Sequence, residues 1–116
     1  MPKQKRFHLD PDQIKPLAQG RGACLATDRI TVDGERVGYM YREVPDTEFH
    51  SGWCFMAGDE THDYMDNSEN IAIYDVNTIA NYDPEIIPFL DAPYKTAFAR
   101  NAATGDFEEV EYPPME

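Results

Sequence analysis

Ala23-Cys24-Leu25-Ala26-Thr27, then Ile30-Thr31-Val32, Asp33-Gly34 and Val37-Gly38-Tyr39-Met40-Tyr41-Arg42, form the stretch that decides the architecture. The first five residues are a short apolar run suited to a buried strand, and the remainder has the order strand, tight turn, strand. Asp-Gly suits a two-residue hairpin turn because both central positions need a positive φ. Further along, a loop from Glu43 to His50 carries Pro45 and three acids into another apolar run, Gly52-Trp53-Cys54-Phe55-Met56-Ala57. These runs together predict the core of an antiparallel sheet.

The flanking sequence completes the domain. Asp10-Pro11-Asp12-Gln13 has a capping acid, proline at the first helical position and Gln13 at the reciprocal position, so a short helix is expected there, limited by Pro16 and Gly20. Ile71-Ala72-Ile73-Tyr74 reads as a strand, Asp75 as the cap of a helix over Val76 to Tyr82, and Asp83-Pro84-Glu85 as the start of a second helical turn. That turn offers Ile86, Ile87, Phe89 and Leu90 to the core, and Pro88 keeps it short. Tyr94 to Arg100 is strand-like, and Phe107 to Tyr112 alternates with acids as an edge strand does. The expectation is one α+β domain over residues 10–112, with an antiparallel sheet of four to six strands and a few short helices on one side. A flexible tail is expected at residues 1–9 and a flexible end at 113–116, where Pro113-Pro114 ends the order.

Charge is distributed unevenly. From Glu43 through Tyr94 there is no Lys or Arg, and these 52 residues carry twelve carboxylates. Elsewhere ten acids balance ten bases, so the net charge of −12 belongs to the middle of the chain. Such a field attracts a basic surface or a cation and repels nucleic acid and anionic lipid. Plain solubility is the other reading of an acidic composition. The N-terminus lacks the apolar stretch of a signal peptide and no segment reaches the length of a membrane span, so a cytoplasmic protein is expected.

Other chemistry finds little support. An EF-hand loop needs glycine at its sixth position, but counting from Asp59 or Asp66 places Tyr64 or Ile71 there. His62 has no second His or Cys nearby to build a zinc site with the surrounding acids. There is no nucleophile elbow and no glycine-rich phosphate loop, so no catalytic residue is assigned and no cofactor is expected. Cys24 and Cys54 have no CxxC spacing and read as two small buried hydrophobes. His8, His50 and His62 lie in polar contexts and read as surface residues.

Gly22-Ala23-Cys24-Leu25-Ala26, Val37-Gly38-Tyr39-Met40-Tyr41-Arg42-Glu43, Ser51-Gly52-Trp53, Gly58-Asp59-Glu60, Tyr74-Asp75-Val76-Asn77-Thr78-Ile79 and Tyr82-Asp83-Pro84 occur in this order. As an ordered set they resemble the immunity-protein family thirty-three of bacterial polymorphic toxin systems, over about Gly22 to Leu90. The resemblance implies an α+β domain that binds and neutralises a cognate toxin inside the producing cell, without catalysis of its own.

Under that reading the acids become a partner-binding surface. Asp59, Glu60, Asp63, Asp66 and Glu69, helped by Asp46 and Glu48 on the preceding loop, would meet the Lys and Arg groups of a basic toxin cleft. Asp59, Asp63 and Asp66 would share one face if the segment were helical. Tyr64 is the first candidate for an anchoring aromatic, with Tyr41 and Tyr82 behind it. Two rival readings stay open: a small metal- or cation-binding domain or enzyme using the same acids, and a regulatory domain with an endogenous partner. Oligomeric state is not encoded in any pattern of this chain.

Overall fold

A computed structural model describes residues 6–112. Six strands form one sheet: β1 (Ala23–Thr27), β2 (Tyr39–Arg42), β3 (His50–Met56), β4 (Ile71–Asp75), β5 (Thr96–Arg100) and β6 (Phe107–Val110), in the order β4-β1-β3-β2-β5-β6. Every neighbouring pair is antiparallel except β1 and β3, which run parallel. The α+β expectation holds, with that one parallel pair inside the sheet.

Three α-helices, α1 (Asp28–Thr31), α2 (His62–Asp66) and α3 (Val76–Tyr82), are joined by 3-10 turns at Pro11–Gln13, Ser68–Asn70 and Pro84–Phe89. The Asp10 capping box forms as its sequence predicts, with Gln13 Oε1 accepting from the Asp10 amide at 2.7 Å. Asp75 caps α3 by accepting from the Asn77 amide at 2.8 Å, and Asp83 caps the Pro84 turn in the same manner.

The predicted hairpin at Asp33-Gly34 is not present. Ile30 and Thr31 belong to α1, where both are buried, and the segment ends as a helix ends rather than as a hairpin turns. The Gly34 amide bonds back to the Ile30 carbonyl at 3.1 Å with φ +80°, the left-handed conformation typical of a glycine past a helix C-terminus. A two-residue hairpin turn would need Asp33 in that region as well. Lys95 is the non-glycine residue with positive φ among the described residues.

One face of the sheet makes the core. Cys24, Ala26, Met40, Trp53, Phe55 and Phe98 pack there against Ile30 of α1, Val76, Ile79 and Ala80 of α3, and Ile86 and Leu90 of the Pro84 turn. Trp53 lies nearly parallel to Phe55 with ring centroids 5.8 Å apart, and its indole N–H donates to the Leu90 carbonyl at 3.2 Å. The ion pair between Arg100 and Asp83, 2.5 Å with side chains only 9% and 2% exposed, locks β5 to the Pro84 turn. Asp83 also accepts from the Val37 amide at 3.0 Å, so the buried carboxylate is well satisfied.

Two glycines are required by close approach. A Cβ at Gly52 would lie 2.0 Å from the Glu43 carbonyl oxygen, and its φ of +91° disfavours any side chain. Gly52 sits within the slip in register of β3 against β1, between the pairs Ala23–His50 and Leu25–Cys54. A Cβ at Gly38, the residue before β2, would lie 2.0 Å from the Ala57 carbonyl oxygen.

The expected tail at residues 1–9 divides in two. Residues 1–5 and the expected flexible end at 113–116 lie outside the described residues. The His8 amide donates to the Thr31 carbonyl at 2.7 Å, the Leu9 amide donates to the Tyr82 hydroxyl at 3.1 Å, and Phe7 meets Tyr74 edge-on.

Candidate partner-binding surface

Six of the twelve central acids are used within the fold. Asp59 is held by Arg29, whose Nε and Nη2 reach its two oxygens at 3.0 and 2.7 Å, and this contact lowers the Asp59 pKa from its ordinary value. Glu60 turns inward: its oxygens accept from Thr27 Oγ1 at 2.6 Å and from the amides of Ala57 and Gly58 at 2.8 and 2.9 Å. Asp75 caps α3, Asp83 and Glu85 bind Arg100, and Asp91 binds Arg21 at 2.7 Å. The other six, Glu43, Asp46, Glu48, Asp63, Asp66 and Glu69, form no ion pair among the described residues.

These unpaired acids stand at two places. Glu43, Asp46 and Glu48 lie on the loop entering β3, whereas Asp63, Asp66 and Glu69 lie on the connection leaving it. Seven strand residues separate the two groups, about 20 Å at ~3.3 Å per residue. The helical turn expected to align Asp59, Asp63 and Asp66 starts only after the Thr61 cap, so Asp59 lies outside it and Asp63 and Asp66 share α2. Thr61 Oγ1 accepts from the Tyr64 amide at 3.1 Å, and Asn67 caps the next turn over Glu69.

Tyr64 is half-buried rather than outstretched. Burial first, then the nearby charges of Asp28, Asp33 and Glu60, push its phenol up to about 12. Tyr82 is spent inside the fold, its hydroxyl donating to the Thr31 carbonyl at 2.9 Å. Tyr41 is different, because it lies on the sheet face opposite the core.

That opposite face is built from the alternate residues of each strand. The cross-strand partners Ile73–Leu25, Leu25–Cys54, Cys54–Tyr41, Tyr41–Ala97 and Ala97–Val110 give one unbroken row across all six strands. Every member is apolar or tyrosine. Tyr39 follows Tyr41 on this face with ring centroids 5.9 Å apart, and Tyr112 meets Tyr41 edge-on at 6.0 Å. Burial is the main cause raising the pKa of Tyr41, with Cys54 beneath it the next. Ile73 at 68% and Val110 at 38% exposure mark the two ends of the row.

Two hollows lie on this face. One of about 400 Å³ is lined by Leu25, Ile73, His50 and the loop residues Val44 to Thr47. The other, of about 420 Å³, lies among Tyr39, Met56, Ala99 and Met65 of α2. Neither gathers the acid, base and nucleophile of a hydrolytic site. Among the described residues no group of three His, Cys, Asp or Glu side chains could hold a metal ion. Both cysteines are free and buried, on opposite faces of the sheet, and burial raises both thiols, Cys54 to about 11. His50 uses Nδ1 to accept from the Gly52 amide at 2.9 Å.

The sequence pattern of the Immunity protein Imm33 domain matches residues 24–111 of this chain. The chain belongs to the Imm33 family. The match runs past the Gly22 to Leu90 stretch that carries the resemblance and takes in β5 and β6, so all six strands of the sheet fall within or at the edge of the Imm33 domain. No curated protein and no solved structure matches the chain. No helix among the described residues is long and apolar enough to cross a membrane.

The seven acids and Tyr64 singled out from sequence therefore occupy three settings. Asp59 and Glu60 are engaged within the fold, Asp63, Asp66 and Glu69 project beside half-buried Tyr64, and Asp46 and Glu48 project from the other end of β3. Of the row on the face opposite the core, sequence reasoning named Tyr41 and overlooked Ile73, Leu25 and Val110. Its signal was present in strands that are apolar at successive positions instead of alternate ones.

Proposed function

We propose that this Imm33 chain is a non-catalytic immunity protein that neutralises a cognate toxin in the cytoplasm by binding over the toxin's basic cleft. The observation that carries this reading is the set of six carboxylates, Glu43, Asp46, Glu48, Asp63, Asp66 and Glu69, that lack an intramolecular cation among the described residues of an Imm33 domain. A fold that needed these charges only for its own stability would pair them, as it pairs Asp59, Asp83, Glu85 and Asp91. Left unpaired, they supply a field that draws a cationic partner into contact.

Their role is mainly kinetic. Electrostatic steering raises association to about 10⁸–10⁹ M⁻¹s⁻¹ at low salt, against roughly 10⁵–10⁶ for a neutral pair. Exposed ion pairs then add only about 0–1 kcal/mol each, so lasting occlusion needs apolar contact as well. A screening length of about 8 Å at physiological salt lets each acidic group act over its own end of the sheet.

The test uses the product of the gene immediately upstream of this chain's own, which on this reading carries the toxin domain. Co-expression should rescue cells from that domain, and stopped-flow association should slow steeply as salt rises. Replacing Asp63, Asp66 and Glu69 with Lys should slow association at low salt while leaving the melting temperature nearly unchanged. No rescue, or an association rate indifferent to salt, would overturn the reading.

A further inference from the structure

An antiparallel sheet with one bare face normally sets polar side chains on it. Here the middle row of that face, from Ile73 through Leu25, Cys54 and Tyr41 to Ala97 and Val110, contains no polar residue other than the tyrosine. At ~4.8 Å between strands this strip is about 24 Å long. Helices α1 and α3 and the Pro84 turn all pack on the other face. Cys54 and Ala97 within the row are buried and Leu25 and Tyr41 half-buried, while Ile73 and Val110 stand exposed, as does Val44 across the hollow from Ile73. Exposed apolar side chains grouped around a hollow mark an interaction surface rather than ordinary surface.

The strip is framed by charge. Glu43, Asp46 and Glu48 lie at one end of the strands and Asp63, Asp66 and Glu69 at the other, with none of the six paired within the described residues. An apolar, aromatic centre inside a charged rim is the anatomy of a protein interface. The sign of the rim selects the occupant. A second copy of this chain would bring six like charges against six, whereas a cationic protein meets opposite charge on both sides of the strip.

We infer that the bare sheet face, centred on Ile73, Leu25 and Tyr41, is the docking surface for the cationic toxin, with Tyr41 and Ile73 as its anchors. This rests on the function proposed above and adds where the contact is made. The toxin surface it fits carries an apolar projection flanked by Lys or Arg about 20 Å apart, matching the two acidic groups across the length of β3. The hollow beside Ile73, bounded by Val44 and His50, would receive that projection.

The decisive experiment compares the unmodified chain with the double variant Ile73→Ser, Val110→Ser by biolayer interferometry against the upstream-encoded toxin domain. Both positions are exposed, so the variant keeps its fold, checked by circular dichroism and melting. Dissociation should quicken at least tenfold, with association changed less than about twofold, because anchors act on residence time and charge acts on encounter. Hydrogen exchange on the unmodified complex should show new protection over residues 39–42 and 71–75. An unchanged dissociation rate with no such protection overturns this inference and leaves the proposed function standing. Failure of the unmodified chain to bind the toxin domain overturns both. A dimer of the chain alone that the double variant abolishes would assign the face to a second copy instead.

Discussion

The two faces of the sheet contrast more sharply than any two regions of the chain. One is closed by α1, α3 and the Pro84 turn around Trp53, Phe55 and Met40, each at most 1% exposed. The other carries a row nearly as apolar, buried in its middle at Cys54 and Ala97, but its ends reach 68% and 38% exposure at Ile73 and Val110. Folding accounts for the first face. The second has a similar composition, yet folding buries only its middle and leaves Ile73 and Val110 in water.

The contrast can be broken at its strong end. Trp53→Ala removes the largest core side chain and its N–H bond to Leu90, and should cost about 3–5 kcal/mol in urea unfolding. A loss below about 1 kcal/mol would mean that the packed face is not what holds the domain together. Asp83→Ala should cost a comparable ~3–5 kcal/mol, because Arg100 at 9% exposure would keep only the exposed Glu85 as an ion-pair partner and the buried Val37 amide would lose its acceptor.

Intermediate effects sharpen where the sheet bends. Gly52→Ala places a methyl against the Glu43 carbonyl in a left-handed backbone, and should destabilise by about 1–3 kcal/mol, read as a lowered urea midpoint. On the bare face, Ile73→Ser should change stability by less than about 1 kcal/mol, since the side chain is already largely in water. A larger loss there would mean that the two faces are both core.

The smallest expected effect is on pH dependence. Arg29 depresses the Asp59 pKa in the folded state, so this contact stabilises above the unfolded carboxyl value of about 4 and fades as pH falls through the lower folded value. Asp59→Asn should therefore lower stability slightly at neutral pH, flatten the acid limb of the stability curve, and leave stability below the folded value unaffected.

Much of the architecture was legible in the sequence because local chemistry settled it. Asp75 and Asp83 cap their helical turns as their positions suggest, β3 and β4 fall close to the apolar runs that predicted them, and β6 falls within the alternating stretch Phe107 to Tyr112. Ile30-Thr31-Val32 misled because β-branched residues favour strands, while burial of Ile30 against the sheet was decided by tertiary packing. The parallel pairing of β1 with β3 leaves no local trace. Nor does the placement of the acids: Asp46 and Asp63 are near in sequence, and only the strand between them sets them apart. The bare face was hidden for a related reason, since Ala23 to Ala26 are all apolar and period two cannot say which side receives the helices.

The row across the face opposite the core draws one residue from each of the six strands, so its spacing is fixed by the hydrogen bonds of the sheet rather than by any side chain on it. A substitution within the row changes what that face presents without moving its neighbours. A slip of one strand by a single residue would instead turn its member of the row into the core and break the alignment of all six.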